Sequence, residues 1–244
     1  MACSGDTPEL REGSLEQWKA AWENGKAVWQ VHHVNVALKR NIHRLKIENS
    51  GDPKILLPLC GKTRDIKWLW EQGFTVVGVE VSEIAIKDFF AENDIKYEVS
   101  QIKGCPGVLY RSTDDRILLR VSSNTSGTEE HSQLFLNQKG GNNFVAYHDI
   151  NHTRYKYASA ISELMSDNCK MLLETLEKNI DVDPGQPPFD FQEPEMRQHF
   201  NQQFELEQID QIKIDEYIDP SDERYFAYTR VSGSRIYLIT KTSV

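Results

Sequence analysis

Apolar and polar positions along the chain fall into blocks that switch between a period near 3.6 residues and short unbroken apolar runs. Ser14-Leu15-Glu16-Gln17 has the form of a capping box, and Trp18 and Trp22 lie four apart on one face of the helix it opens. Asn24-Gly25 breaks that helix, and a second amphipathic stretch runs from Lys26 to Leu45. Lys54 to Leu59 is a short apolar run followed at once by Cys60-Gly61-Lys62 and a helical pattern through Trp68 and Leu69 to Gly73. That order predicts strand, tight turn, helix. Phe74 to Val79 reads as a second strand ending in Glu80, after which Ser82 is placed to cap a helix carrying Ile84, Ile86, Phe89 and Phe90. Together these blocks predict a βαβα unit of a parallel sheet, preceded by two helices.

Further on, Val108 to Arg111 and Arg116 to Val121 flank the polar Ser112-Thr-Asp-Asp115 and predict a hairpin. Ser122 to Asn143 is polar and glycine-rich, and only Leu134-Phe135-Leu136 reads there as a strand. A helix is expected from Arg154 to Met165, a strand from Met171 to Leu176, a stiff loop at Asp183-Pro-Gly-Gln-Pro-Pro188, and a helix from Glu193 to Phe200. Strands over Phe204 to Ile214 and Arg235 to Thr240 complete the chain. No internal repeat or linker divides it, so a tail over residues 1–13 and a single domain over 14–244 are expected.

Composition narrows the function classes. A net charge of −9 argues against a nucleic-acid-clamping surface, and 39% apolar residues with 10% aromatic suit a packed core. No run reaches the roughly 18 to 20 apolar residues of a membrane span, and no secretory or transit signal is readable, so a cytosolic location is expected. Cys3, Cys60, Cys105 and Cys169 are scattered, which argues for reduced thiols over disulfides or a zinc ribbon.

In an open parallel sheet, ligands bind beyond the carboxyl ends of the strands, where Leu59, Gly61 and Glu80 fall. A glycine there lets backbone approach a ligand, and an acidic residue ending the second strand can accept from both hydroxyls of a ribose. The Gly-x-Gly-x-x-Gly run that seats a pyrophosphate is missing from Leu59-Cys-Gly-Lys-Thr-Arg64, so a nucleoside cofactor without phosphates fits better than a nicotinamide dinucleotide. The same residues also suit an ordinary turn and a solvated strand end. Trp18, Trp22 and Trp29 could cover an adenosine or a cationic sulfonium by stacking, or could equally be core. His148 and His152 are four apart, but they lack a third ligand and read as loop, so no metal is expected. Asp114-Asp115 and Glu129-Glu130 read as a turn and a solvated loop.

Leu57-Pro-Leu-Cys-Gly-Lys62, Lys67-Trp68, Gly73, Val76-Val-Gly-Val-Glu80-Val-Ser-Glu83 and Phe89-Phe90 resemble the signature of the thiopurine S-methyltransferase family. Leu15-Glu-Gln-Trp18, Trp22, Asn24-Gly25-Lys26, Pro184-Gly-Gln-Pro-Pro-Phe189, Asp222-Glu-Arg224 and Tyr237-Leu-Ile-Thr240 extend the likeness over most of the chain. The resemblance implies a Rossmann-like, seven-stranded, mostly parallel α/β methyltransferase sheet, its last strands antiparallel, with helices on both faces and an N-terminal helical cover. It also implies S-adenosylmethionine as methyl donor and a small aromatic or heterocyclic thiol as acceptor. Carried over by position, Trp18, Trp22 and Trp29 cover the cofactor, Leu59 and Gly61 face its methionine part, and Glu80 holds the ribose. Ser122 and Ser123 lie beside the adenine, and Arg224 lies near the acceptor. No nucleic-acid or membrane partner is implied, and a monomer is the working expectation. The chain departs from the family where an Asp near the adenine loop and then Trp-Asp-Arg-Gly-Ala are expected, carrying Ser122-Ser-Asn-Thr-Ser126 and, before Phe144-Val-Ala146, Lys139-Gly-Gly-Asn-Asn143. A relative that binds the cofactor with impaired catalysis is therefore the alternative expectation.

Overall fold

The computed structural model describes residues 15–27, 30–45, 51–102, 107–121, 142–148, 154–167, 169–179, 181, 191–200, 203–217 and 230–242. Its strands are β1 (Lys54–Pro58), β2 (Thr75–Glu80), β3 (Tyr97–Gln101), β4 (Val108–Ser112), β5 (Ile117–Val121), β6 (Asn142–His148), β7 (Lys170–Lys178), β8 (Phe204–Lys213) and β9 (Val231–Lys241). Its helices are α1 (Leu15–Glu23), α2 (Val36–Leu45), α3 (Arg64–Glu71), α4 (Glu83–Glu92), α5 (Arg154–Leu164), α6 (Glu193–His199) and α7 (Ile214–Tyr217).

All the described strands belong to one sheet of order β3-β4-β5-β2-β1-β6-β7-β9-β8. β5, β2, β1, β6 and β7 are parallel, β9 runs antiparallel to β7, and β8 runs antiparallel to β9. The seven expected strands are thus β5 to β8 in that order. Among the described residues the sheet nevertheless has nine strands, because Tyr97–Gln101 pairs with β4 and the resulting hairpin extends the β5 edge.

Alternation along the strands divides the core between two faces. Leu56, Val77, Val79, Met171 and Leu173 pack with Ala158, Ile161 and Leu164 of α5 and Met196 of α6. Ile55, Leu57, Val76, Leu119 and Leu172 pack with Ala37 and Leu38 of α2, Ile66 and Leu69 of α3, and Ile86, Phe89 and Phe90 of α4. Each large side chain among them contributes about 1.5–3 kcal/mol of burial. Helices therefore cover both faces.

Three helices end in the same way. After α1, Gly25 adopts φ 65°, with Gly25 N–H on Trp22 O at 3.2 Å and Lys26 N–H on Ala21 O at 2.7 Å. Gly73 after α3 (φ 97°) and Asp94 after α4 (φ 52°) repeat this pair of reverse bonds, which satisfies the last carbonyls and turns the chain back toward the sheet.

Some boundaries differ from expectation. The helix expected from Lys26 begins only at Val36, because Asn35 caps it: its Oδ1 accepts Leu38 N–H at 2.9 Å. Ser82 occupies the cap position of α4 without a side-chain capping bond. His148 ends strand β6 where a loop was expected, and His152 lies outside the described residues. The strand expected at Leu134-Phe135-Leu136, the loop at 183–188 and the tail over 1–13 lie outside the described residues. No helix among the described residues is long and apolar enough to cross a membrane.

Candidate functional site

The parallel strands all end at one edge of the sheet. β1 continues to β2 and then β5 on one side, while β6 and β7 lie on the other, so the order reverses between β1 and β6. A crevice opens beyond the carboxyl ends at such a reversal. Pro58 pairs with Val79, which sets the turn after β1 beside Glu80 at the end of β2.

That turn is tight. Leu59 and Gly61 both adopt positive φ, 51° and 50°, Cys60 N–H reaches Val79 O at 3.0 Å, and Thr63 N–H reaches Cys60 O at 3.2 Å. A left-handed leucine costs about 1–2 kcal/mol, and Leu59 is also 54% exposed. Backbone strain and exposure of an apolar side chain thus coincide at one residue of the turn. Thr63 then caps α3, accepting from Asp65 N–H at 3.3 Å.

Glu80 is 5% exposed and organises the turn. Its Oε2 accepts Gly61 N–H at 2.8 Å, and its Oε1 accepts Val81 N–H at 2.7 Å and Ser82 N–H at 2.9 Å. Burial pushes its carboxyl above the usual range, and the three amides oppose that shift. A carboxylate accepts about four hydrogen bonds, so Oε2 keeps capacity for one further donor and gains a second if Gly61 N–H turns away.

Gly61 lies under a lid of side chains. A Cβ there would stand 2.6 Å from Gln30 Nε2 and 3.2 Å from Trp22 Cζ2. The absent side chain is thus the space in which backbone, indole and amide meet. Trp22 is buried, whereas Trp18, one turn earlier, is 43% exposed. Lys62 ties the far side of the turn to α4, with Nζ 3.0 Å from Asp88 Oδ2 and 2.5 Å from Glu92 Oε1. Burial and the neighbouring Glu80 charge push the Cys60 thiol well up, which disfavours its thiolate.

The structure therefore brings together Trp22, Leu59, Gly61 and Glu80, with Trp18 on the same helix. Trp29, Ser122, Ser123 and Arg224 lie outside the described residues, although Ser122 directly follows Val121, the Cα partner of Glu80. Sequence reasoning did not single out Gln30, which carries no motif. It also missed a partly buried polar cluster formed by Asn35, Asp65, Glu174, Tyr217 and Ser234. The N-cap signal of Asn35 ahead of Val36-Ala37-Leu38 could have drawn attention to it.

Turn and carboxylate fit a nucleoside cofactor: Glu80 offers acceptors to hydroxyl groups, and Gly61 lets a ligand approach backbone. A model of the thiopurine S-methyltransferase family matches residues 14–224. A probable thiopurine S-methyltransferase of Danio rerio is 32% identical over 234 residues, covering 93% of this chain and 94% of that protein. The thiopurine S-methyltransferase of Pseudomonas paraeruginosa is 31% identical over 197 residues, covering 79% and 84%. Among solved structures, a SAM-dependent methyltransferase from Anabaena variabilis superposes with TM-score 0.57 at 14% identity over 96% of both chains. The Burkholderia thailandensis 1,6-didemethyltoxoflavin-N1-methyltransferase, solved with S-adenosylhomocysteine, gives 0.54 at 16% identity over 94% of this chain and 87% of that one. At such identities these two likenesses speak for the fold alone. The family match and the relatives together place the chain: it belongs to the thiopurine S-methyltransferase family, on a SAM-dependent methyltransferase fold.

Proposed function

We propose that the chain methylates the sulfur of a small aromatic or heterocyclic thiol, such as a thiopurine, with S-adenosylmethionine as donor, acting as a single domain in the cytosol. The observation that carries this reading is the Glu80 carboxylate closed over the Gly61 turn beneath Trp22 and Gln30. Bound there, the cofactor supplies an activated sulfonium methyl group. Glu80 would hold the ribose hydroxyls, Leu59 and Gly61 would line the methionine part, and Trp18, Trp22 and Trp29 would roof the site against water. Ser122 and Ser123 border the adenine. Arg224 would favour the thiolate form of the acceptor, whose proton is released to solvent. No covalent enzyme intermediate is needed, since an acidic aryl thiol is its own nucleophile. The chain mainly aligns the reactants, an effect worth up to about 7–11 kcal/mol.

A second reading is a cofactor-binding relative with impaired turnover. It is favoured by the loss of the family's Trp-Asp-Arg-Gly-Ala run, with Lys139-Gly-Gly-Asn-Asn143 in its place. Calorimetric titration with S-adenosylmethionine and a radiolabelled methyl-transfer assay on thiophenol-like and mercaptopurine-like acceptors separate the two. Binding with labelled product supports methyl transfer, binding without product supports the second reading, and no binding at millimolar cofactor removes both. Under the first reading Arg224→Ala lowers kcat/KM for an aryl thiol by about tenfold or more, the loss expected for one charge-assisted contact. An unchanged value takes Arg224 out of the mechanism.

A further inference from the structure

We propose that Asn35 is a positioning residue, fixing the cover of Trp22 and Gln30 over the Gly61 turn by pinning the chain just beyond it to two buried carboxylates, Asp65 and Glu174. The inference rests on the reading that this turn holds the cofactor.

Every polar group of Asn35 except its carbonyl serves a different element. Its Oδ1 accepts Leu38 N–H at 2.9 Å and starts α2. Its backbone N–H donates to Asp65 Oδ1 at 2.8 Å, and its Nδ2 donates to Glu174 Oε2 at 2.8 Å. Helix capping uses only the first of these bonds. The second reaches the first turn of α3, four residues after Gly61, and the third reaches mid-β7. Asp65 is 1% exposed and Glu174 8% exposed, so both carboxylates have left water. Two buried carboxylates facing one site repel each other and are tolerated only with donors between them. Asn35 supplies a donor to each. An Asp here would keep the backbone bond to Asp65 but lose the bond to Glu174, because its side chain carries no amide donor.

The other side of the cluster is already anchored without Asn35. Glu174 Oε1 accepts from Tyr217 Oη on α7 and from Ser234 Oγ on β9, the latter at 2.9 Å. The acceptor is therefore held rigid from the C-terminal half, while Asn35 lies five residues beyond Gln30, whose amide covers Gly61. One end of this span rests on the turn, and the other is tied through Asp65 to the helix that the turn begins.

The test compares S-adenosylmethionine affinity, by calorimetry, with Tm for four variants of the full chain. Asn35→Asp keeps the cap but sets a third carboxylate against Glu174. It should weaken cofactor affinity about tenfold, the equilibrium equivalent of one hydrogen bond to a carboxylate, with kcat for the acceptor little changed. Adding Glu174→Gln to that variant reverses the direction of the bond, since the introduced amide can donate to the introduced carboxylate, and should restore affinity. Ser234→Ala removes another bond of the same cluster on the side away from the cover. It should lower Tm while leaving cofactor affinity within about twofold. Asn35→Ala adds no charge and should show the same affinity loss if the Asp variant does not fold. Equal losses of affinity in Asn35→Ala and Ser234→Ala, or a folded Asn35→Asp with unchanged affinity, overturn the proposal. A wild-type chain that ignores S-adenosylmethionine instead overturns the reading beneath it.

Discussion

At the scale of single residues, the site depends on side chains that are absent or buried against their preference. Gly61→Ala places an L residue at φ 50° and drives a Cβ to 2.6 Å from Gln30 Nε2 and 3.2 Å from Trp22 Cζ2. The amide can swing aside, and the indole must give by a few tenths of an ångström. Backbone strain alone costs about 1–2 kcal/mol, so Tm should fall by several degrees and cofactor affinity by more than about tenfold in a calorimetric titration. Retained affinity would show that the glycine is only a turn. Glu174 makes a prediction in pH. Burial raises its folded pKa above the ordinary 4.5, against the hydrogen bonds from Tyr217, Asn35 and Ser234. A raised acid adds stability that is full below the unfolded value and is lost as pH rises through the folded one. Glu174→Gln removes that loss. Urea unfolding from about pH 4 to pH 8 should show the variant gaining on the wild type as pH rises, and a pH-independent difference would contradict the shift.

At the scale of elements, the chain advertises its boundaries where local chemistry is strong. The Leu-Pro-Leu-Cys-Gly-Lys run, the β2 strand and the β4–β5 hairpin were readable because apolar runs, glycine and a polar turn coincide. Two strands escaped. β3 is exposed at all five positions, Tyr97 to Gln101, so no alternation marks it, and β6 begins inside a polar, glycine-rich stretch. The start of α2 was misread because the amphipathic pattern carried further upstream than the helix, and only the Asn35 cap fixes its true beginning. Helix ends are likewise decided by one position. Gly25 and Gly73 take the left-handed turn freely, whereas after α4 the same place is held by Asp94 at φ 52°. Asp94→Gly should therefore stabilise the protein by about 1 kcal/mol through relief of that conformation, read as a higher urea midpoint at unchanged m. A lower midpoint would mean that the aspartate is retained for an interaction stronger than its strain.

At the scale of the whole molecule, the topology was largely legible, since the parallel strands follow from the βαβα pattern and the antiparallel end from the resemblance. The nine-strand count was not, because pairing at a sheet edge leaves almost no trace in a strand with no buried face. The candidate site was legible at Gly61 and Glu80, where the motif is local. It was illegible at Gln30 and at the Asn35 cluster, whose members come from five separate stretches of chain. One consequence of the sheet concerns Cys60. Its sulfur would lie 2.7 Å from a Cβ on Gly78, so it is turned down against β2, is only 6% exposed, and has its thiol pushed up by burial and Glu80. A catalyst that handles an alkylating agent risks modifying itself. Here the thiol beside the proposed donor site is buried, and its ionisation is disfavoured. Iodoacetamide should leave Cys60 unlabelled in the native protein at neutral pH and label it only on global unfolding, as peptide mass analysis would show. Labelling under native conditions would mean that a reactive thiol lies open beside the proposed donor site.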